Sequence, residues 1–399
     1  MVSDASYRLE TLAVHAGQEP DPLTGAVMPS IVLLSTFAQQ GPGEHLGYDY
    51  SRSGNPTRAT LEKCLAALEG AHCGLAFGSG CAATTALLHT LRPGDHVIFG
   101  DDVYGGTYRL FHRVMEPLGI LFTSIDMTDL NALRGSLTPA TKMVWVETPS
   151  NPMLKITDIQ NTAAVCKKDS IRLVIDNTFA TPVGQQPLAL GATAVVHSTT
   201  KYLNGHSDVV GGFIATNDQD LEQELRFLQN SLGGVPSPFD CFLVLRGVKT
   251  LPVRMQQHLN SAADLATRMQ AEPLVERVIY PGLVSHVGHE TAKRQMNGFG
   301  GMISFELRGG LESSRAFLKA LRVFTCAESL GGVESLAEHP ALMTHASIPA
   351  SMRASLGITN GLIRLSVGLE HVEDLWTDLR SALQSSTRRL NFHNNETLF

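Results

Sequence analysis

The chain has no uninterrupted apolar run of about 18 residues, the length a membrane-crossing helix needs, so no membrane partner is expected. Its opening, "MVSDASYRLETLAVHAG", lacks a basic start followed by an apolar core, so no export signal is expected and the expected location is cytoplasmic. It also lacks any lysine and arginine run of the kind that grips phosphate backbones. With a formal net charge of −7, no nucleic-acid partner is expected. The six cysteines (Cys64, Cys73, Cys81, Cys166, Cys241 and Cys326) include no CxxC pair and are scattered through apolar or helical contexts. Reduced, mostly buried thiols are the expectation. Neither a GxSxG elbow nor a nucleotide-type phosphate loop is present. His286 and His289 in "HVGH" have no third ligand at sensible spacing, so no metal is expected.

What is present is an ordinary globular composition, 43% hydrophobic and 17% charged over 399 residues. That length exceeds what one core usually serves, so two domains and an arm are expected. Residues 1–52 read as the arm, because "EPDPLTG" and "QQGPGEHLG" are turn-rich. "NPTRATLEKCLAALEG" then spaces Leu61, Cys64, Leu65 and Leu68 as one helical face and stops at Gly70. Beyond it, "HVIFG", "KMVWVE", "RLVIDNT", "AVVHS" and "GGFIAT" are short apolar runs separated by helical segments, the rhythm of a mostly parallel sheet. This larger domain is expected over 53–246. A smaller α+β domain is expected over 247–399, from "GGMISFEL", "FTCAESLGG" and "LIRLSVGLE", with the polar tail "TRRLNFHNNETLF" loose.

Ligands of such sheets sit beyond the carboxyl ends of the strands. That directs attention to Asp102–Gly106, Glu147–Pro152, Asp176–Thr178 and Ser198–Lys201. A lysine after a strand is usually plain surface, but Lys201 follows Ser198 and Thr200, whose hydroxyls suit a phosphate. A lysine amine becomes a useful nucleophile when a dry or cationic site lowers its pKa, commonly for Schiff-base chemistry. In "FGSGCAATTALL", Gly78-Ser79-Gly80 precedes a helix expected near Cys81, so unpaired N–H groups would converge on one oxyanion. Asp176 is either a helix cap or solvated strand end, or an anion that keeps the ring nitrogen of an aromatic cofactor protonated. Tyr104 is either a packed aromatic or a ring-stacking proton carrier. Arg364, flanked by apolar residues, is either in a buried ion pair or clamps a carboxylate through two parallel hydrogen bonds.

The segments "YSRSGNPTR", "DDVYGGT", "ETPSNP", "DNTFATP", "TKYLNGHSDVVGG", "FLQNSLGGVPSPFDC", "AESLGGVESLAEHPA" and "LIRLSVGLE" together resemble the pyridoxal-phosphate enzymes of cysteine and methionine metabolism. The resemblance runs from about Thr11 to Glu370. It implies an α/β aminotransferase-like fold, a mostly parallel sheet flanked by helices, with an N-terminal arm and a smaller C-terminal α+β domain. The implied cofactor is pyridoxal 5′-phosphate, held by Lys201 and by Asp176 at its ring nitrogen, with Tyr104 stacked on the ring. Gly80, Cys81, Ser198 and Thr200 would take the phosphate, joined by Tyr50 and Arg52 from a neighbouring subunit. Asn151 and Arg364 would grip the substrate α-carboxylate, helped by Ser329. The resemblance also implies a homotetramer built from two dimers, each completing its active sites across its two subunits.

The implied activity is γ-elimination of L-cystathionine to L-cysteine, 2-oxobutyrate and ammonia, with Lys201 as base and Tyr104 as acid. Members that cleave methionine typically carry cysteine where this chain has Gly106, and Arg109 here could meet a distal carboxylate. Members that cleave at the β-carbon generally place bulky aromatics at Glu328, an acid that would face the distal part of cystathionine. The strongest competitor is γ-replacement on activated homoserine by cysteine, which shares most of these stretches. Asp49 stands where the animal γ-eliminating members carry glutamate, and Cys81 where relatives carry Leu or Met. A non-catalytic cofactor-binding protein should lack one of Lys201, Asp176 and Arg364, and all three are present.

Overall fold

The computed structural model describes residues 7–346 and 348–395, with side chains through Ser386. Seven strands, β1 (Cys73–Phe77), β2 (His96–Gly100), β3 (Leu121–Ile125), β4 (Thr141–Glu147), β5 (Arg172–Asp176), β6 (Ala194–Ser198) and β7 (Gly212–Thr216), form one sheet ordered β1-β7-β6-β5-β4-β2-β3. Pairings from β3 to β6 are parallel, and β7 runs against both its neighbours. This is the mostly parallel α/β architecture expected. The five apolar runs singled out in the sequence are β2, β4, β5, β6 and β7. Val144, Trp145, Val146, Val174 and Ile175 are fully enclosed between the helical layers, which is why those runs are continuous rather than alternating. β3 is an edge strand whose Leu121 is 52% exposed, so its sequence carries no comparable apolar signal. β1 reads "CGLAF", too small in its side chains to stand out.

The helix before β1 shows how local chemistry sets its ends. Asn55 accepts hydrogen bonds from the N–H groups of Thr57 and Arg58, Pro56 opens the first turn, and Gly70 closes it at φ +65°. Leu61, Cys64, Leu65 and Leu68 form its buried face, each burial worth about 1.5–3 kcal/mol for a leucine. Leu9–His15 is helical, contrary to the irregular arm expected, because Ala13 packs into the same core as Leu61.

A second sheet contains β8 (Val275–Ile279), β9 (Met302–Leu307), β10 (Thr325–Cys326), β11 (Leu336–Glu338) and β12 (Leu362–Ser366), ordered β10-β11-β12-β9-β8. It is antiparallel except for β10 with β11. The long helix Leu251–Met269 joins the two bodies. Leu251 and Met255 lie in the first core, and Ala262, Leu265 and Met269 in the second. The final helix, Val372–Asn395, takes in most of the tail expected to be loose. The last four residues of the tail, 396–399, lie outside the described residues, as do residues 1–6 of the opening segment. Among the described residues, no helix is long and apolar enough to cross a membrane. Four cysteines are buried, whereas Cys81 and Cys326 are exposed.

Candidate active site

The carboxyl ends of β4, β5 and β6 open on a cavity of about 350 Å³, closed on its far side by Arg364 of β12 and by loop residues between β10 and β12. One end is an anion cradle. Ser79 caps the helix Gly80–Leu88, its hydroxyl oxygen accepting the Ala82 N–H at 3.0 Å, one residue earlier than the expected start. The first N–H groups of such a helix have no partner within it, and its dipole favours an anion there. A Cβ on Gly80 would lie 3.1 Å from the Ser198 Cβ, and a Cβ on Gly212 only 2.1 Å from the Ser79 carbonyl oxygen. These two close approaches seat the helix start on the end of β6, so Gly80, Cys81 and Ser198 line one surface. Thr200 lines it too, but its hydroxyl is already engaged. It accepts the Gly211 N–H at 3.0 Å and donates to the Gly211 carbonyl at 3.3 Å.

Asp176 ends β5 on the cavity floor. One carboxylate oxygen accepts the Thr178 N–H at 3.0 Å and the Thr178 hydroxyl at 2.6 Å. That hydroxyl in turn accepts the Ser198 N–H at 2.9 Å, tying the floor to the cradle. Burial raises the Asp176 pKa, offset by the Thr178 bonds and by His197. Lys201 stands across from it and donates from Nζ to the Ser329 hydroxyl at 2.7 Å. Burial first, and the Arg364 charge second, lower its ammonium from 10.5 to about 8. The segment after Lys201 is pinned by the buried Arg254 guanidinium, which donates to the Tyr202 carbonyl at 2.8 Å and the Gly247 carbonyl at 2.8 Å. Tyr104 lines the opening, 41% exposed, and burial raises its phenol pKa, so it keeps its proton at neutral pH.

The opposite wall belongs to Arg364 in β12, 2% exposed. Nη1 donates to the Asn151 side-chain oxygen at 2.7 Å and pairs with Glu338 Oε1 at 3.1 Å, and Nη2 donates to the Ser329 carbonyl at 2.8 Å. Its Nε is buried without a hydrogen-bond partner. Of the two sequence readings of Arg364, the buried ion pair is present, with Glu338 as the acid. Ser329 sits at φ +88°, a left-handed conformation costing about 1–3 kcal/mol in a non-glycine residue. It turns the Ser329 hydroxyl to Lys201 and the carbonyl to Arg364.

Lys201, Tyr104, Asp176, Gly80, Cys81, Ser198, Thr200, Asn151, Glu328, Ser329 and Arg364 are thus brought together. Asp49, Tyr50, Arg52 and Arg109 do not line this cavity. The Arg52 guanidinium lies 5.5 Å from the Tyr50 ring centre and bonds Asn230 through Nε at 3.2 Å. Arg109 is exposed on the helix Gly105–Leu110. His286 accepts the Gly288 N–H at 3.0 Å and His289 meets the Pro281 carbonyl at 2.8 Å.

Three residues that the sequence reading left without a role matter here. Ser79 caps the cradle helix. Glu147 ends β4 and accepts the Tyr104 N–H at 2.9 Å. Glu338, 1% exposed, neutralises Arg364 and accepts the Thr344 hydroxyl at 2.7 Å. The strand-end rule pointed at Glu147. Glu338 had no such signal, because its meaning depends on β11 lying beside β12.

The donor set suits a phosphorylated pyridine aldehyde. An anion cradle, a lysine of depressed pKa and an aspartate whose donors are all neutral lie in one cavity, and the last leaves room for a protonated ring nitrogen.

Comparison with known proteins agrees. The family described as Cys/Met metabolism PLP-dependent enzyme matches residues 10–384. A cystathionine beta-lyase of Coxiella burnetii is 55% identical over 94% of this chain and 97% of its own length. A cystathionine gamma-lyase of Dictyostelium discoideum is 52% identical over 96% and 99%. The crystal structure of a cystathionine gamma synthase from Xanthomonas oryzae pv. oryzae in complex with cystathionine superposes with a TM-score of 0.94. It is 47% identical and covers 96% of this chain and 99% of that one.

Proposed function

We propose, from the premise that the chain belongs to the Cys/Met metabolism PLP-dependent enzyme family, that this carbon–sulfur lyase performs γ-elimination on L-cystathionine, which with one water gives L-cysteine, 2-oxobutyrate and ammonia. One observation carries the reading. A lysine and an aspartate from one sheet face an arginine with a spare buried donor from the other, across a single cavity edged by Glu328.

Pyridoxal phosphate, when bound, supplies an electron sink for the carbon bearing the substrate amine. The chain does the rest. The cradle at Ser79–Cys81 and Ser198 binds the phosphate, and the Asp176 carboxylate holds the proton on the ring nitrogen. Arg364 and the Asn151 amide, both at the cavity wall, hold the α-carboxylate. The Lys201 amine, at about 8 in the cofactor-free chain, is poised to take a proton from Cα and, once it has given that proton up, another from Cβ at near-neutral pH. The Tyr104 hydroxyl retains its proton and delivers it to the departing sulfur. Glu328 meets the distal ammonium of cystathionine, which favours this substrate over a simple thioether.

The same reading assigns Asp49, Tyr50 and Arg52 to a neighbouring subunit's site, in a cytoplasmic homotetramer of two dimers. Its support is that these residues lie on the arm, away from the chain's own cavity, while Leu23 and Leu46 of that arm are 93% and 82% exposed. Sedimentation of the holoenzyme, with and without the arm, tests the assembly.

Product analysis with L-cystathionine alone tests the activity. 2-Oxobutyrate with cysteine is expected. Pyruvate with homocysteine would make the enzyme a β-lyase, and turnover only after activated homoserine and cysteine are added would make it a γ-synthase.

A further inference from the structure

Glu147 and Asp176 are register partners at the ends of adjacent parallel strands, and both line the cavity. Two carboxylates so placed and shielded from water do not both ionise readily. Their hydrogen bonds separate them. Asp176 accepts two from Thr178, whereas Glu147 receives the Tyr104 N–H. The charged groups that act on Glu147 are Asp176 and Asp102, which oppose its ionisation, and Arg364, which favours it more weakly than burial and Asp176 disfavour it. The outcome is a carboxyl held well above the usual carboxylate range.

The Tyr104 ring has a second restraint. A Cβ on Gly106 would lie 2.3 Å from the Tyr104 ring carbon Cε1, so the ring folds down on its own loop. Glu147 holds the backbone of that loop while Gly106 lets the ring lie flat.

We propose that Glu147 is a positioning residue that works as an uncharged carboxylic acid, anchoring the Tyr104 N–H through Oε2 and leaving Asp176 as the only anion at the cavity floor. The role rests on the functions assigned to Tyr104 and Asp176 above. A second negative charge beside Asp176 would divide the attraction for the ring-nitrogen proton, and a loosened loop would misplace the proton donor.

The test compares Glu147→Gln and Glu147→Leu as holoenzymes. The visible circular dichroism of the bound cofactor is read without substrate, and kcat and KM are then measured with L-cystathionine. Glutamine keeps an uncharged acceptor for the Tyr104 N–H, so its band should persist, with kcat/KM down by less than about fivefold. Leucine removes the acceptor, so the band should change and kcat should drop about a hundredfold with KM little altered. Glutamine as damaging as leucine would show that the charge is needed and overturn the proposal, as would leucine with unchanged band and turnover. If the leucine variant does not fold, the glutamine variant decides alone: a retained band supports the proposal and a collapsed one overturns it. Because the band needs no substrate, inactivity of the unaltered enzyme on L-cystathionine would count against the proposed substrate and not against Glu147.

Discussion

The two walls of the cavity are built in opposite ways. On the first sheet, Asp176 and the cradle helix stand at strand ends and are held by neighbours close in sequence. Asp176 is bonded by Thr178 two residues on, and Ser79 caps its own helix three residues on. On the second sheet, Arg364 stands inside a strand and is held by residues far away. Asn151 is 213 residues from it, and the Lys201–Ser329 bond spans 128. The first wall is a property of one sheet and its loops. The second exists only when the two bodies are docked, with the Leu251–Met269 helix sharing its apolar face between both cores. On the proposed function, the difference separates holding a cofactor from presenting a substrate to it.

The largest expected effect breaks the chemistry while sparing the first wall. Lys201→Ala should lower turnover on L-cystathionine by about 10³-fold or more, the scale of losing a general base. It should still retain added pyridoxal phosphate through the cradle, measured by absorbance after dialysis. Loss of the cofactor from this variant would mean that the cradle does not hold it unaided.

Arg364→Ala attacks the second wall. It leaves the Glu338 carboxylate buried without its partner, so denaturant unfolding should report a loss of about 3–5 kcal/mol. Unchanged stability would show that the docked wall is no energetic link between the bodies.

A smaller effect lies at the seam. The Lys201 ammonium in the folded, cofactor-free protein is at about 8 rather than 10.5, because burial and Arg364 disfavour its charge. Between those values the unfolded chain binds a proton that the native state has released, so stability rises with pH. The contribution is fully present above 10.5 and is lost as pH falls through 8. Unfolding midpoints across that range should show the rise, and Lys201→Met should flatten it. An equal slope in the variant would assign the rise to another group.

The smallest effect is confined to the first wall. Ser79→Ala removes the side-chain cap of the Gly80–Leu88 helix and should cost about 1 kcal/mol in thermal or denaturant unfolding. A cost as large as that for Arg364 would mean that the cradle is not the local structure its hydrogen bonds suggest.

The same contrast decides how much was legible beforehand. Strands β2 and β4 to β7 showed as apolar runs because both their faces are covered, and the helix ending at Gly70 showed because its cap, apolar face and stop are short-range features. Lys201, Asp176, Ser198 and Tyr104 could be singled out because strand ends are where such a sheet presents its ligands. β3 escaped notice as an exposed edge, and the Leu9–His15 helix because packing against Leu61, not its own composition, keeps it ordered. Arg364 announced itself as a costly charge in an apolar run, but its partner was not readable.

What the sequence determined by itself was therefore the chemistry on offer and the class of architecture, since residue type, periodicity and capping act over a few positions. Tertiary structure alone decided the partnerships. It gave Arg364 both a buried acid and a spare donor, turned Ser329 to face two groups at once, and set Glu147 beside Asp176 so that one of them keeps its proton. Each of these depends on desolvation and on charges brought together from distant parts of the chain, quantities that do not exist until the chain is packed.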